Sequence, residues 1–130
     1  MEQSKTPITE RVKTFEDACT ISTPSEDMKI LFDYKGQDKD LLAAQGFAKM
    51  NHITKVLNEK WEANWKDSDE RKFYPWFDMS PESGSALAYY DSYYGNSGSV
   101  VGSRLVFKSS DLAKYAATQF IDIYKQFLTI

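Results

Sequence analysis

The chain has 130 residues, 42% hydrophobic and 27% charged, enough for one domain whose core closes without disulfides or metals. A net charge of −3 argues against coating duplex DNA by bulk positive charge, and the single cysteine, Cys19, excludes an internal disulfide. No apolar run approaches the roughly 18 residues of a membrane span, and no apolar leader opens the chain, so an intracellular location is expected.

Residues 1–11 are polar, contain a proline and show no periodicity; they read as a loosely attached arm before a single domain over 12–130. Thr14 followed by Asp17 three positions later is an N-cap pattern opening a short helix with Phe15 and Ala18 inward. The stretch 22–27 reads as a loop, and 28–34 fits a short strand or a helical turn equally well. From Asp38 to about Trp61, Leu42, Phe47, Met50, Ile53, Leu57 and Trp61 recur at helical spacing and predict a long amphipathic helix. Gly46 weakens that helix and so suggests the close approach of a neighbouring element.

After Trp65 the charge run 66–71, with Asp67, Asp69 and Glu70, reads as a solvated turn. The pattern then alternates, with Phe73, Pro75, Phe77 and Met79 on one side of a strand and Lys72, Tyr74, Trp76 and Asp78 on the other. Pro75 has no N–H for a ladder, which predicts an edge strand or a bulge. A second strand is expected over 86–94 and a third over 100–108, where Leu105 and Phe107 alternate with Arg104, Val106 and Lys108. A second long helix follows, capped by Ser109 or Ser110, with Ala113, Ala116 or Ala117, Phe120, Tyr124 and Phe127 inward. The expected fold is α+β: a three-stranded antiparallel meander packed on one face by two long helices, with a short N-terminal helix.

Catalytic chemistry has little to build on. His52 is the only histidine and Cys19 the only cysteine, so no histidine- or cysteine-rich metal site can form, and both residues read as packing groups. The segment 95–103 has serines and glycines but lacks the lysine and the strand-to-helix context of a phosphate loop. The expectation is a noncatalytic module without metal or cofactor.

Two features remain. Lys72, Tyr74 and Trp76 on the first strand are expected beside Tyr89, Arg104 and Lys108 on the others, and rings with adjacent cations are what single-stranded DNA or RNA stacks upon. The alternatives for the same rings are a second core layer or a docking surface for a protein. The other feature is the helix start at Ser109 and Ser110, next to Lys108, a seat for an anion or simply a helix cap.

The segments VKTFEDAC, LNEKWEANW, YPWF and VGSRLVFKSSDLAKYAATQF together resemble a group of small uncharacterised proteins encoded by phages and prophages of Bacteroidetes, over Val12 to Phe127. That group has no assigned activity. The resemblance implies a setting, the cytoplasm of a bacterial host cell, and two function classes: single-stranded nucleic acid binding, or binding and inhibition of a host protein.

Overall fold

The computed structural model describes residues 6–130. Its elements in chain order are α1 (Ile8–Arg11), α2 (Phe15–Ile21), α3 (Glu26–Phe32), α4 (Lys39–Leu57), β1 (Lys72–Asp78), β2 (Ala88–Gly95), α5 (Ser110–Gln119) and α6 (Ile121–Leu128). The class is α+β, but the sheet has two strands rather than three.

α4 is the axis of the molecule. Asp38 caps it by accepting from the amides of Asp40 and Leu41, and Met50, Ile53 and Leu57 are fully buried as the spacing predicts. Trp61 lies beyond the helix, because Glu59 takes a left-handed conformation (φ 60°) and turns the chain back. α2 and α3 pack on one flank of α4 and α6 on another. Thr14 and Asp17 form the expected capping box at α2, while 28–34, open between strand and helix in the sequence, resolves mostly into α3 under a Ser25 cap.

Gly46 sits where α4 meets α6: a Cβ built there would lie 2.7 Å from the Gln126 Cβ. Gln126 is itself fixed, donating to the Leu42 carbonyl at 2.7 Å and to the Gln45 side chain at 2.8 Å. The close approach suggested by the glycine is therefore present. The second long helix is broken at Phe120 (φ −113°, ψ 29°) into α5 and α6, with Ser109 capping the first.

Of the arm expected through Arg11, residues 1–5 lie outside the described residues, whereas Ile8 and Val12 belong to the core. The Tyr115 hydroxyl donates to the Val12 carbonyl at 2.6 Å and holds this segment against α5.

The missing third strand has a local cause. Phe73 and Phe107 exchange both backbone hydrogen bonds, at 3.0 and 2.7 Å, so 105–108 does approach the β1 edge opposite β2. Two residues along β1, the backbone nitrogen facing that same edge belongs to Pro75 and carries no hydrogen, and the ladder stops after one bridge. The other side of the segment is taken by Asn58, which donates to the Val106 carbonyl at 2.8 Å and accepts from the Lys108 amide at 3.1 Å. Flanked by β1 and the end of α4, Leu105, Val106 and Phe107 are all buried, so the alternation expected at Val106 is lost.

Candidate functional site

β1 and β2 pair antiparallel, with Phe73 opposite Tyr94, Tyr74 opposite Tyr93, Pro75 opposite Ser92 and Trp76 opposite Asp91. The register then shifts, and Phe77 faces Tyr89, so Tyr90 is the extra residue of a bulge in β2. Phe73 and Phe77 turn toward the helices, and the Phe77 ring lies 4.8 Å from that of Tyr124. Strand alternation places Tyr74, Trp76, Tyr93 and Asp91 on the opposite face.

That outer face is aromatic and open. Trp76 is 47% exposed and Tyr93 40%, and the two rings meet edge to face with centroids 5.1 Å apart and planes at 79°. Tyr90, lifted by the bulge, is 65% exposed beside them. The Asp91 carboxylate belongs to the residue directly opposite Trp76, and Asp78 is exposed at the end of β1.

The expected cations are elsewhere. Lys72 is 0% exposed: its ammonium donates to the carbonyls of Asp67 (2.8 Å) and Asn96, lies 3.6 Å from the Glu70 carboxylate, and sits 5.3 Å from the centre of the Trp65 ring. The run 66–71 is thus a clasp over one end of the sheet rather than a solvated turn throughout. Glu70 also accepts from the Asn64 amide at 2.7 Å. Lys108 pairs with Glu59 at 3.1 Å, near the end of α4, and Arg104 lines grooves along α4.

Tyr89 is carried by the bulge to the Phe77 side, where its hydroxyl bonds the Ser92 hydroxyl at 2.8 Å. Tyr93, which shares parity with Tyr89 in an unbroken strand, lies before the shift and keeps the outer position opposite Tyr74. The repeated tyrosine pairs of 89–94 leave the sequence without a parity signal, because any register turns one ring of each pair outward.

The helix start expected to seat an anion is occupied in part by its own chain. Ser109 Oγ accepts from the Leu112 amide at 3.2 Å, an ordinary cap, while Ser110 is exposed. His52 is buried against Phe15 and Phe32 and donates Nε2–H to the Ser22 carbonyl at 2.8 Å; burial pushes its pKa below the usual histidine value. Burial, with Glu16 nearby, pushes the Cys19 thiol up, away from thiolate chemistry.

Among the described residues no group of three or more histidine, cysteine or carboxylate side chains could hold a metal, and no helix is long and apolar enough to cross a membrane. Compared with family models, curated proteins and solved structures, the chain matches none.

Proposed function

We propose that the protein is a noncatalytic protein-interaction module and that the outer sheet face docks a basic, Lys- or Arg-bearing segment of a partner. The observation that carries this reading is the composition of the face: the Trp76–Tyr93 pair is flanked by Asp91, while Lys72 is buried and Lys108 is paired with Glu59. Tryptophan and tyrosine dominate binding hot spots because they bury much surface at little entropic cost. Two rings already packed against each other lose still less on binding.

Of the two expected ligands, the charge of the outer face favours a protein. Phosphates of single-stranded nucleic acid need nearby cations, and the carboxylates here repel them, an effect that the overall charge of −3 reinforces. The same carboxylates attract a cationic peptide, whose ammonium or guanidinium groups also favour aromatic faces. Self-association through this face would bring like charges together. The sheet edge is a poorer dock than the ring face, since the bulge interrupts it and Asp91 accepts from the Ser92 amide at 2.8 Å. In the setting the resemblance implies, the partner is a protein of the bacterial host.

The test is capture of a partner from nuclease-treated lysate of the source cells on immobilised protein, followed by binding of the identified partner at several salt concentrations. Trp76→Ala and Tyr93→Ala are each expected to weaken binding about tenfold or more, and Asp91→Asn to flatten its salt dependence. A labelled oligonucleotide that binds in a Trp76-dependent way, or a partner that binds the folded double variant unchanged, overturns the reading.

A further inference from the structure

We propose a second, separate binding site, for a nucleoside phosphate, in the groove between the C-terminal half of α4, the turn carrying Trp61 and Trp65, and the segment leading to Phe107. The groove has a volume of about 390 Å³, within the roughly 300–1,000 Å³ of small-molecule sites. Two half-buried indoles, Trp61 and Trp65, line it together with Asn51, Lys55, Arg104 and Glu62.

Asn58 and Thr54 on the groove wall are bonded within the chain, but three other polar heads there, Lys55, Arg104 and Asn51, are uncommitted. Lys72, Lys108 and Lys29 have carboxylate partners, yet Lys55 and Arg104 have none among the described residues, and the Asn51 amide has no hydrogen-bond partner there either. Two cations against the single Glu62 carboxylate leave the groove net positive in a protein that is negative overall. Arg104, Lys55 and Asn51 also line an adjoining groove of about 300 Å³, so they stand on the ridge between the two.

The chemistry that meets all of these groups is an aromatic ring joined to a phosphate. Indoles supply π-faces on which any base can stack, and the guanidinium fork matches phosphate oxygens. One face of Trp65 is occupied by the Lys72 ammonium, which fixes that indole as a wall. Glu62 offers an acceptor for ribose hydroxyls. Neither indole belongs to the sheet, so this site shares no residue with the docking face.

Titration calorimetry with AMP, adenosine, inorganic phosphate and a short oligothymidylate tests the site, with quenching of tryptophan fluorescence as a second readout. AMP is expected to bind with a submillimolar dissociation constant, more tightly than adenosine or phosphate alone, and Arg104→Ala and Trp61→Ala to weaken it about tenfold or more each. Arg104 is exposed and unpaired among the described residues, so its variant tests the site even where Trp61→Ala perturbs folding. Trp76→Ala leaves AMP binding unchanged, which separates this site from the sheet face. If oligothymidylate competes with AMP and binds more tightly, the natural ligand is the end of a strand; if it binds no better, the ligand is a free nucleotide. No saturable AMP binding at millimolar concentration, equal affinity for phosphate alone, or undiminished binding by folded Arg104→Ala overturns the proposal.

Discussion

Replacing Lys72 with methionine separates a structural lysine from a ligand-binding one. The side chain is wholly buried, and its ammonium serves the carbonyls of Asp67 and Asn96 and the Glu70 carboxylate. Methionine keeps the length of the chain but removes the ammonium from all three acceptors: the Asn96 carbonyl loses a charged donor outright, while the Asp67 carbonyl keeps the Glu70 amide at 3.3 Å and Glu70 keeps the Asn64 amide at 2.7 Å. A hydrogen bond to a charged group is worth about 1.5–3 kcal/mol. The Glu70 side chain is one-quarter exposed, and water restores part of its solvation. A net loss of about 3 kcal/mol follows, near the lower end of what breaking a buried ion pair costs. An unfolding entropy of roughly 2.1 cal/mol/K per residue over 130 residues gives ~0.27 kcal/mol/K, so the melting temperature falls by about 11 °C. Thermal unfolding followed by circular dichroism, with a urea titration to check that the slope is preserved, measures this directly. A change under about 2 °C would refute the reasoning, since it would mean an ammonium in water and available to a ligand.

Three further outcomes follow from the packing. Gly46→Ala gains up to about 1 kcal/mol of helix propensity but drives a Cβ into the fixed Gln126 side chain, so a net loss of about 1 kcal/mol in urea unfolding is expected; a stabilised variant contradicts the close approach of α4 and α6. Tyr124→Phe removes a buried hydroxyl that has no partner among the described residues, in a site whose burial pushes the phenol pKa well up, and should raise stability by about 1 kcal/mol. A destabilised Phe variant would mean that the hydroxyl is bonded in solution. The depressed pKa of buried His52 means that the unfolded chain takes up its proton first, so stability is full above the unfolded value near 6.5 and declines as pH falls through it toward the folded value. His52→Gln should flatten that slope between about pH 7 and 5, and an unchanged slope assigns it to other groups.

Local features were legible wherever a single element sufficed to express them. The caps at Thr14 and Ser109 and the buried residues Met50, Ile53 and Leu57 of the α4 stripe depend on spacings of three to seven residues and appear in place, whereas Phe47 of the same stripe is 37% exposed and Trp61 lies past the helix end. Pro75 announced an interrupted edge, but not that 105–108 would meet β1 at the one bridge Phe73–Phe107 with Asn58 along its other side, since Asn58 stands 48 and 50 positions before Val106 and Lys108, which it holds. The alternation placed Trp76 outward, and the indole is open. It also grouped Lys72 with Trp76; the burial of that lysine comes from the clasp of Asp67, Glu70 and Trp65, which strand parity does not describe. The bulge at Tyr90 turned Tyr89 inward while Asp91 and Tyr93 kept the outward parity, and only the fold brings Arg104 to the same groove as Trp61 and Trp65.

Photo-crosslinking from the sheet face measures the docking assignment most directly. With benzoylphenylalanine in place of Tyr93, the expected product in source cells is an adduct to a Lys- or Arg-rich segment of one protein, abolished by Trp76→Ala in the same chain and absent when the probe replaces Thr118 on the exposed side of α5. An adduct to nucleic acid or to a second copy of the chain, or one that survives loss of the indole, would contradict the assignment.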